Sequence, residues 1–455
     1  MEMLEVVTNY QKAVSVGAYD RHDGGLFGKL DNVRRYWEDQ VTRNTLREFL
    51  APFVAQRRRA GKKLRVLDLG CGAGEGYEIF SSLSDDNYPD SAPEQQTPDT
   101  GIIDFYRGLD LSPCMVEKAV SNYKGLDHVA FDIADLCHGL PRSEEAYDVY
   151  FSSYGSLSHL PDEDLRRVIH DICDRVETNA IFVADLVGRY SYEWPDYWIQ
   201  NSLSDPMRPY SMSYIYPPGV REEMIIEVFP LRFWGGDEIG AFVECAAAER
   251  GVTVTRRLYR DRSVLVGRHL DTAEFNPSAP PIRAAVNSLL EFNRRTQLED
   301  LLFNYRTQPG PTRINNFFQS FTWSWNALVG SCIDGLRRLE KGERPRIVIP
   351  DDCDLAVPDA IRTLGRVMES AHLFQMGDPV ANVIERQLAW LLMGLEESAQ
   401  RGLGASHGLL ANFELRRVNQ DEGDISQARG SGIGAEPHFP LSRRRDGDSL
   451  MGDRE

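Results

Sequence analysis

The sequence has no CxxC pair, no excess of basic residues and no long apolar run, and each absence narrows what the chain can be. Its seven cysteines, at positions 71, 114, 137, 173, 245, 332 and 353, are scattered and odd in number. They supply neither a disulfide framework nor a zinc site, and no metal is expected. Lysine and arginine total 51 against 69 aspartates and glutamates, a net charge of −18. That sign opposes a polyanion, so no nucleic-acid partner is expected. The basic runs Arg57-Arg58-Arg59 and Arg443-Arg444-Arg445 are short and flanked by polar sequence. No uninterrupted apolar run approaches the ~20 residues of a membrane span. Met1 to Glu5 is acidic where a signal peptide would be basic. A soluble, cytoplasmic protein with no membrane partner is the expectation.

What is present is material for two cores, since 455 residues exceed the usual length of one domain. Residues 1–60 read as a helical lead-in, with Tyr36, Trp37, Val41, Leu46, Phe49, Leu50 and Phe53 near the helical period. Strand-like runs then alternate with helical ones: Leu64 to Leu69, Phe105 to Leu109, Val129 to Phe131, Tyr147 to Ser152 and Ala180 to Leu186. The intervening helices are expected at Gly76 to Leu83, Cys114 to Tyr123, Asp162 to Val176 and Asp237 to Arg250. This alternation implies an α/β domain over 61–270, doubly wound around a mostly parallel sheet. Thr253 to Tyr259 and Arg262 to Arg268 read as an antiparallel hairpin that closes it. Residues 84–100, rich in Asp, Pro, Ser and Gln, read as a mobile insertion. After Pro277, Pro280 and Pro281 the pattern turns helical, and 280–417 is expected to form a separate, mainly α-helical domain. Its stripe through Phe318, Phe321, Trp325, Leu328, Cys332, Leu336 and Leu339 could bury within that domain or against a second copy, giving a homodimer. Arg346 to Ile349 reads as a short strand, and the charged, Gly-rich 418–455 as a disordered tail.

The densest information lies in Val66-Leu67-Asp68-Leu69-Gly70-Cys71-Gly72-Ala73-Gly74-Glu75-Gly76, a buried strand running into glycines and then a helix. The glycines allow close approach of backbone to a ligand. Their G-x-G-x-G spacing departs from the dinucleotide fingerprint, which would need glycine where Glu75 stands, and an acid there faces a pyrophosphate badly. Asp68 adds a carboxylate near the cradle, which suits a cationic amine better than phosphate.

The segment Val66 to Gly74 resembles the first motif of class I S-adenosylmethionine-dependent methyltransferases. Gly108-Leu109-Asp110-Leu111-Ser112 resembles the second, and Phe131-Asp132-Ile133-Ala134-Asp135 the third. Tyr147 to Leu160, including Ser152, Ser153 and Tyr154, resembles the fourth. The resemblance covers about residues 15–270 and implies a Rossmann-like, seven-stranded sheet with one antiparallel closing strand and S-adenosylmethionine as cofactor. It implies that Asp110 pairs with the ribose hydroxyls and Asp132 and Ile133 meet the adenine. Asp68, Gly70, Cys71, Gly72, Leu111, Ser152 and Ser153 complete the cofactor site. Tyr19, from an N-terminal lid, would touch the methionine part. Cys71 suits its place in the loop by being small, with packing rather than nucleophilic work.

For the acceptor, His159 is the first candidate base and His22 the second. Each has a plain alternative, as a helix-entry histidine near Asp162 and as part of a solvated loop, respectively. Residues 189–235 read as an acceptor-binding insertion, in which Tyr190, Tyr192, Trp194, Tyr197, Trp198 and Tyr214, with Tyr154 nearby, could hold an aromatic or cationic group. The same aromatics could instead cement the two domains. The leading expectation is methyl transfer to the O or N of a small-molecule metabolite, less so to C. The alternatives are another transferase or cyclase using the same cofactor, a non-catalytic binding or assembly protein on the same fold, and a nicotinamide dehydrogenase.

Overall fold

The structure is a computed structural model that describes residues 31–83, 101–199, 206–216, 218–221, 226, 228–346, 348–350, 356–373 and 377–418. Tyr19, His22, the 84–100 insertion and residues 419–455 lie outside the described residues. The chain divides into two units, 1–417 and 418–455, and the account that follows concerns the first.

The sheet grows from β1 (Leu64–Leu69), whose alternate side chains feed two cores: Leu67 and Leu69 one, Leu64 and Val66 the other. It pairs in parallel with β2 (Ile103–Asp110) on one edge and β4 (Val149–Ser152) on the other. Beyond these lie β3 (Val129–Ile133) and β5 (Asn179–Gly188), also parallel. Strand β4 is buried throughout, as its continuous apolar reading requires of a strand covered on both faces. The crossovers are α2 (Glu75–Ser81), α3 (Pro113–Asn122) and α4 (Asp162–Arg175), with α1 (Asp39–Arg59) leading in. On α4, Leu165, Val168, Ile169 and Ile172 form a buried stripe at spacings of three and four, and Asp162, Glu163 and Asp164 complement its N-terminal dipole.

Closure of the sheet differs from the hairpin expected at Arg260 and Asp261. Residues 252–262 form one strand, β8 (Val252–Arg262), and its partner is β9 (Gly408–Arg417), which lies between β5 and β8 and runs antiparallel to both. The Asp261 carboxylate accepts the amides of Leu403 and Ala405 at 2.8 and 2.9 Å, so it fixes the approach to β9 instead of reversing the chain. The order β3-β2-β1-β4-β5-β9-β8 is thus a Rossmann-like sheet of seven strands with one antiparallel. An extra antiparallel ribbon, β6 (Met207–Ser211) and β7 (Val228–Trp234), joins the end of β5 through Val187 and Gly188.

Between β8 and β9 run α6 (Ile282–Leu289), α7 (Thr312–Glu340), α8 (Ala356–Ser370) and α9 (Glu385–Ser398), α5 (Gly236–Ala248) having preceded β8. The helical region is therefore an excursion between two paired strands, inside the same compact unit as the sheet. Its core takes in Phe318, Phe321 and Trp325 together with Trp37, Tyr192 and Val264 to Val266. Of the stripe that could bury within its own region or against a second copy, Phe318, Phe321, Trp325, Leu328 and Cys332 are buried within their own chain, and Leu336 and Leu339 are partly buried against the same core. The indole N–H of Trp37 donates to Glu396 Oε1 at 2.9 Å, joining the lead-in to α9. No strand occurs at the described residues 346 and 348–350.

Candidate active site

A cavity of about 660 Å³ opens at the carboxyl ends of β1, β2, β4 and β5, where open α/β sheets place their ligands. The glycine loop forms one end. Gly70, Gly72 and Gly74 have φ of 76°, 54° and 90°, the left-handed region that a side chain resists. A Cβ on Gly70 would lie 2.5 Å from Ser156 Cβ, so this turn also needs the missing side chain for room. Asp110, ending β2, accepts the amide of Gly72 on Oδ2 and that of Ser112 on Oδ1, both at 2.9 Å. Burial pushes its carboxyl up while the two amides pull it down. Glu75 and Arg34 also face the cavity, and the Arg34 guanidinium lies over the Tyr154 ring, 4.4 Å from its centroid.

The cavity brings together Gly70, Cys71, Gly72, Asp110, Leu111, Ser153 and Tyr154. Asp68 is not among its lining residues. Strand alternation turns its side chain under α2, where it accepts the Tyr106 hydroxyl, and burial pushes its carboxyl up to about 7. The acid at the loop is instead Glu75, one turn later in sequence. Ser152 is wholly buried behind the wall. Asp132 and Ile133 sit at the end of β3 outside the lining, Asp132 paired with Arg107 at 3.0 Å and Ile133 59 % exposed. Their neighbours Ala134 and Asp135 line the cavity in their place.

The other end is walled by β6, β7 and the residues after β8: Tyr210, Met212, Tyr214, Phe229, Arg268 and His407. Of the aromatics expected to bind an acceptor, Tyr154 and Tyr214 reach this space. Tyr190, Tyr192, Trp194, Tyr197 and Trp198 do not. Trp194 donates to Gly188 O at 2.9 Å, Tyr197 to Pro209 O at 2.8 Å, and Trp198 stacks on Phe318 at 5.5 Å. Tyr192 packs against Phe303 and Phe318. Tyr192, Trp194, Tyr197 and Trp198 thus hold the helical region and the β6–β7 ribbon to the sheet, the cementing alternative, within a run, 191–195, that is buried throughout.

His159 does line the cavity, stacked on Phe229 at 5.2 Å, and burial lowers its imidazole to about 4. It is neutral at physiological pH and a weak base there. The sequence reading missed Arg34, Asp185, Arg262, Arg268 and His407. Asp185 accepts the amide of Tyr154 at 2.6 Å and pairs with Arg262 at 2.5 Å. Arg268 pairs with Glu38 at 3.0 Å and donates to the Tyr214 hydroxyl at 3.2 Å. A strand-end acid at Asp185 was legible in principle, whereas nothing local marked His407, which reaches the site only because β9 returns to the sheet.

A family model described as methyltransferase domain matches residues 102–179. The solved structures similar to this chain include DhpI in complex with SAH, at 17% identity, covering 57% of this chain and 91% of that one, with a TM-score of 0.32. CalS10 from Micromonospora echinaspora, an amino pentose methyltransferase with bound SAM, is 16% identical over 47% of this chain and 85% of its own, TM-score 0.28. DesVI from Streptomyces venezuelae is 14% identical over 48% and 86%, TM-score 0.29. Among curated proteins, none matches the sequence.

Proposed function

We propose that the chain is a class I, S-adenosylmethionine-dependent methyltransferase that methylates an oxygen or nitrogen of a small-molecule metabolite held in the same cavity, a reading supported by the methyltransferase-domain match over residues 102–179. The observation that carries this reading is the continuity of one space from the glycine loop to the aromatic wall of β6 and β7. Its volume of about 660 Å³ falls in the range of roughly 300 to 1,000 Å³ typical of small-molecule sites.

The residues fit the cofactor. Gly70 leaves open backbone where a Cβ would intrude, Gly72 holds a left-handed φ of 54°, and Asp110 is already fixed with its two oxygens at the cavity edge. Asp110 would hold the ribose hydroxyls, Glu75 the ammonium and Arg34 the carboxylate of the amino-acid part, each by charge and hydrogen bonding. The cofactor supplies an already activated methyl group, so the protein's task is to align the acceptor and exclude water. Tyr210, Tyr214 and Phe229 offer flat apolar faces for that purpose, and Arg268 a fixed positive charge. The hydroxyls of Tyr210 and Tyr214 and the guanidinium of Arg268 give this wall polar groups, which supports an O or N acceptor.

Calorimetric titration of S-adenosylmethionine and NAD into the full chain tests the reading, followed by a metabolite screen for a mass gain of one methyl. Binding of the sulfonium ligand but not NAD is expected. Absence of binding by S-adenosylmethionine and its demethylated product would overturn it.

A further inference from the structure

A buried carboxylate and an imidazole meet in the acceptor wall. His407 Nδ1 lies 2.9 Å from Glu193 Oε2 and 3.1 Å from Oε1. Glu193 is almost wholly buried and also accepts the Ser191 hydroxyl at 2.9 Å and the His269 amide at 2.5 Å. Three kinds of donor converge on it, and their positive ends, with His407 foremost, outweigh burial and hold its carboxyl below the usual range. An ionised Glu193 accepts and cannot donate, so the proton between the two groups belongs on Nδ1, and because burial lowers the imidazole its neutral form leaves Nε2 unprotonated. Nε2 faces the hydroxyl of Tyr210 at 3.4 Å, and both side chains line the cavity.

We propose that His407 is the base that takes the proton of a hydroxyl acceptor, with Glu193 as the positioning residue behind it. This rests on the methyltransferase reading and narrows it to O-methylation. A hydroxyl must lose its proton as it attacks, and an amine can bind already deprotonated, so an oriented imidazole in the acceptor wall serves the hydroxyl. In the step, the acceptor O–H bond breaks with its proton passing to Nε2. The oxygen pair forms the bond to the methyl carbon, whose bond to sulfur breaks with its electrons going to sulfur. The imidazolium so formed is neutralised by Glu193. At His159 burial lowers the imidazole to about 4, which makes it a weak base at neutral pH. At His407, burial lowers the imidazole and Glu193 opposes that fall. The other titratable groups facing His407 are His269, with rings 6.2 Å apart, Tyr210, Tyr214 and, through the field, Arg268 and Glu38.

The test is nitrogen-edited NMR of the histidine rings in the full chain, with His407 assigned by His407→Asn. The wild type alone should show His407 protonated on Nδ1 and bare on Nε2 at pH 7.5. Glu193→Gln should lower the proton affinity of His407 at least tenfold. Diethyl pyrocarbonate, which acylates only a reachable, unprotonated imidazole nitrogen, should modify His407 in the folded chain. A proton resident on Nε2, a titration indifferent to Glu193→Gln, or an unreactive His407 would each overturn the assignment. The wild-type tautomer decides the matter even if Glu193→Gln fails to fold. Calorimetry with S-adenosylmethionine separates the two levels: binding with a failed imidazole result removes only the base, and no binding removes the methyltransferase reading with it.

Discussion

Asp110 is held by two backbone amides, and the one from Gly72 couples it to the shape of the glycine loop. Replacing it therefore removes both the ribose acceptor and a strut of the cradle. Asp110→Ala should weaken S-adenosylmethionine about 10- to 100-fold, the equivalent of losing roughly 1.5–3 kcal/mol of hydrogen bonding to a charged group. Unchanged affinity by calorimetry would remove Asp110 from the site. Asp68 titrates differently. Its folded-state carboxyl is raised to about 7, above its unfolded value, so its contribution to stability is present below the unfolded pKa and lost as pH rises through 7. Asp68→Asn should thus flatten the fall in stability between pH 4 and 7, measured by urea unfolding at each pH. An identical pH slope in the variant would contradict the burial-driven shift. At this scale the sequence marked Gly70, Gly72 and Asp110 because a strand running into glycines and a strand ending in an acid are legible along the chain itself, without its long-range contacts. It misplaced Asp68 because strand alternation, invisible until the sheet faces are known, decides which way that carboxylate points.

Among the elements, the turn after β1 is the least tolerant of change. A methyl at Gly74 would lie 2.5 Å from the Tyr123 ring in a backbone with φ of 90°. Gly74→Ala should lower stability by about 1–3 kcal/mol, from the cost of holding a residue there, and weaken cofactor binding together with it. A variant with wild-type unfolding midpoint would refute the steric argument. Strand β9 carries comparable weight on the far side. Phe413 is fully buried and stacks on Phe182 at 6.0 Å. Phe413→Ala should cost about 3–5 kcal/mol by the usual scale for large-to-small core changes, read from urea unfolding. A loss under about 1 kcal/mol would mean the site collapses around the gap. The first five strands and α2 to α5 were legible from period and turn residues. Strand β9 was not, because its alternation of Leu409, Ala411, Phe413 and Leu415 with Asn412 and Glu414 is short, is broken by Leu410, and follows a long helical stretch far in sequence from the strands it pairs with. The ribbon β6–β7 escaped for another reason, as its Pro209 and Pro230 face each other and weaken any strand signal.

For the molecule as a unit, the helices are tied to the sheet at both of their ends and through a buried charge network. Arg283 pairs with Glu38 at 2.8 Å and Asp31 at 2.5 Å, and Ser263 donates to Glu38 at 2.7 Å. With Glu38 shared between the lead-in and the helical region, neither has an independent edge at which to melt. Scanning calorimetry of the full chain should show one cooperative transition for this unit, and two resolved transitions would restore the picture of separate domains. Where the sequence reading expected separate domains, the sheet and the helices fall in one compact unit: the prolines at 277, 280 and 281 mark an exit from the sheet, and nothing near them signals the return.

That return has a consequence for how the protein is made. Strand β9 is interior to the sheet, yet it is the last of the described strands to leave the ribosome. While the helices are being synthesised, β5 and β8 each wait with a bare hydrogen-bonding edge, the kind that recruits strands from other chains. Only after residue 417 has emerged can the sheet be finished, so the nascent chain should depend on holding chaperones through the whole of its second half.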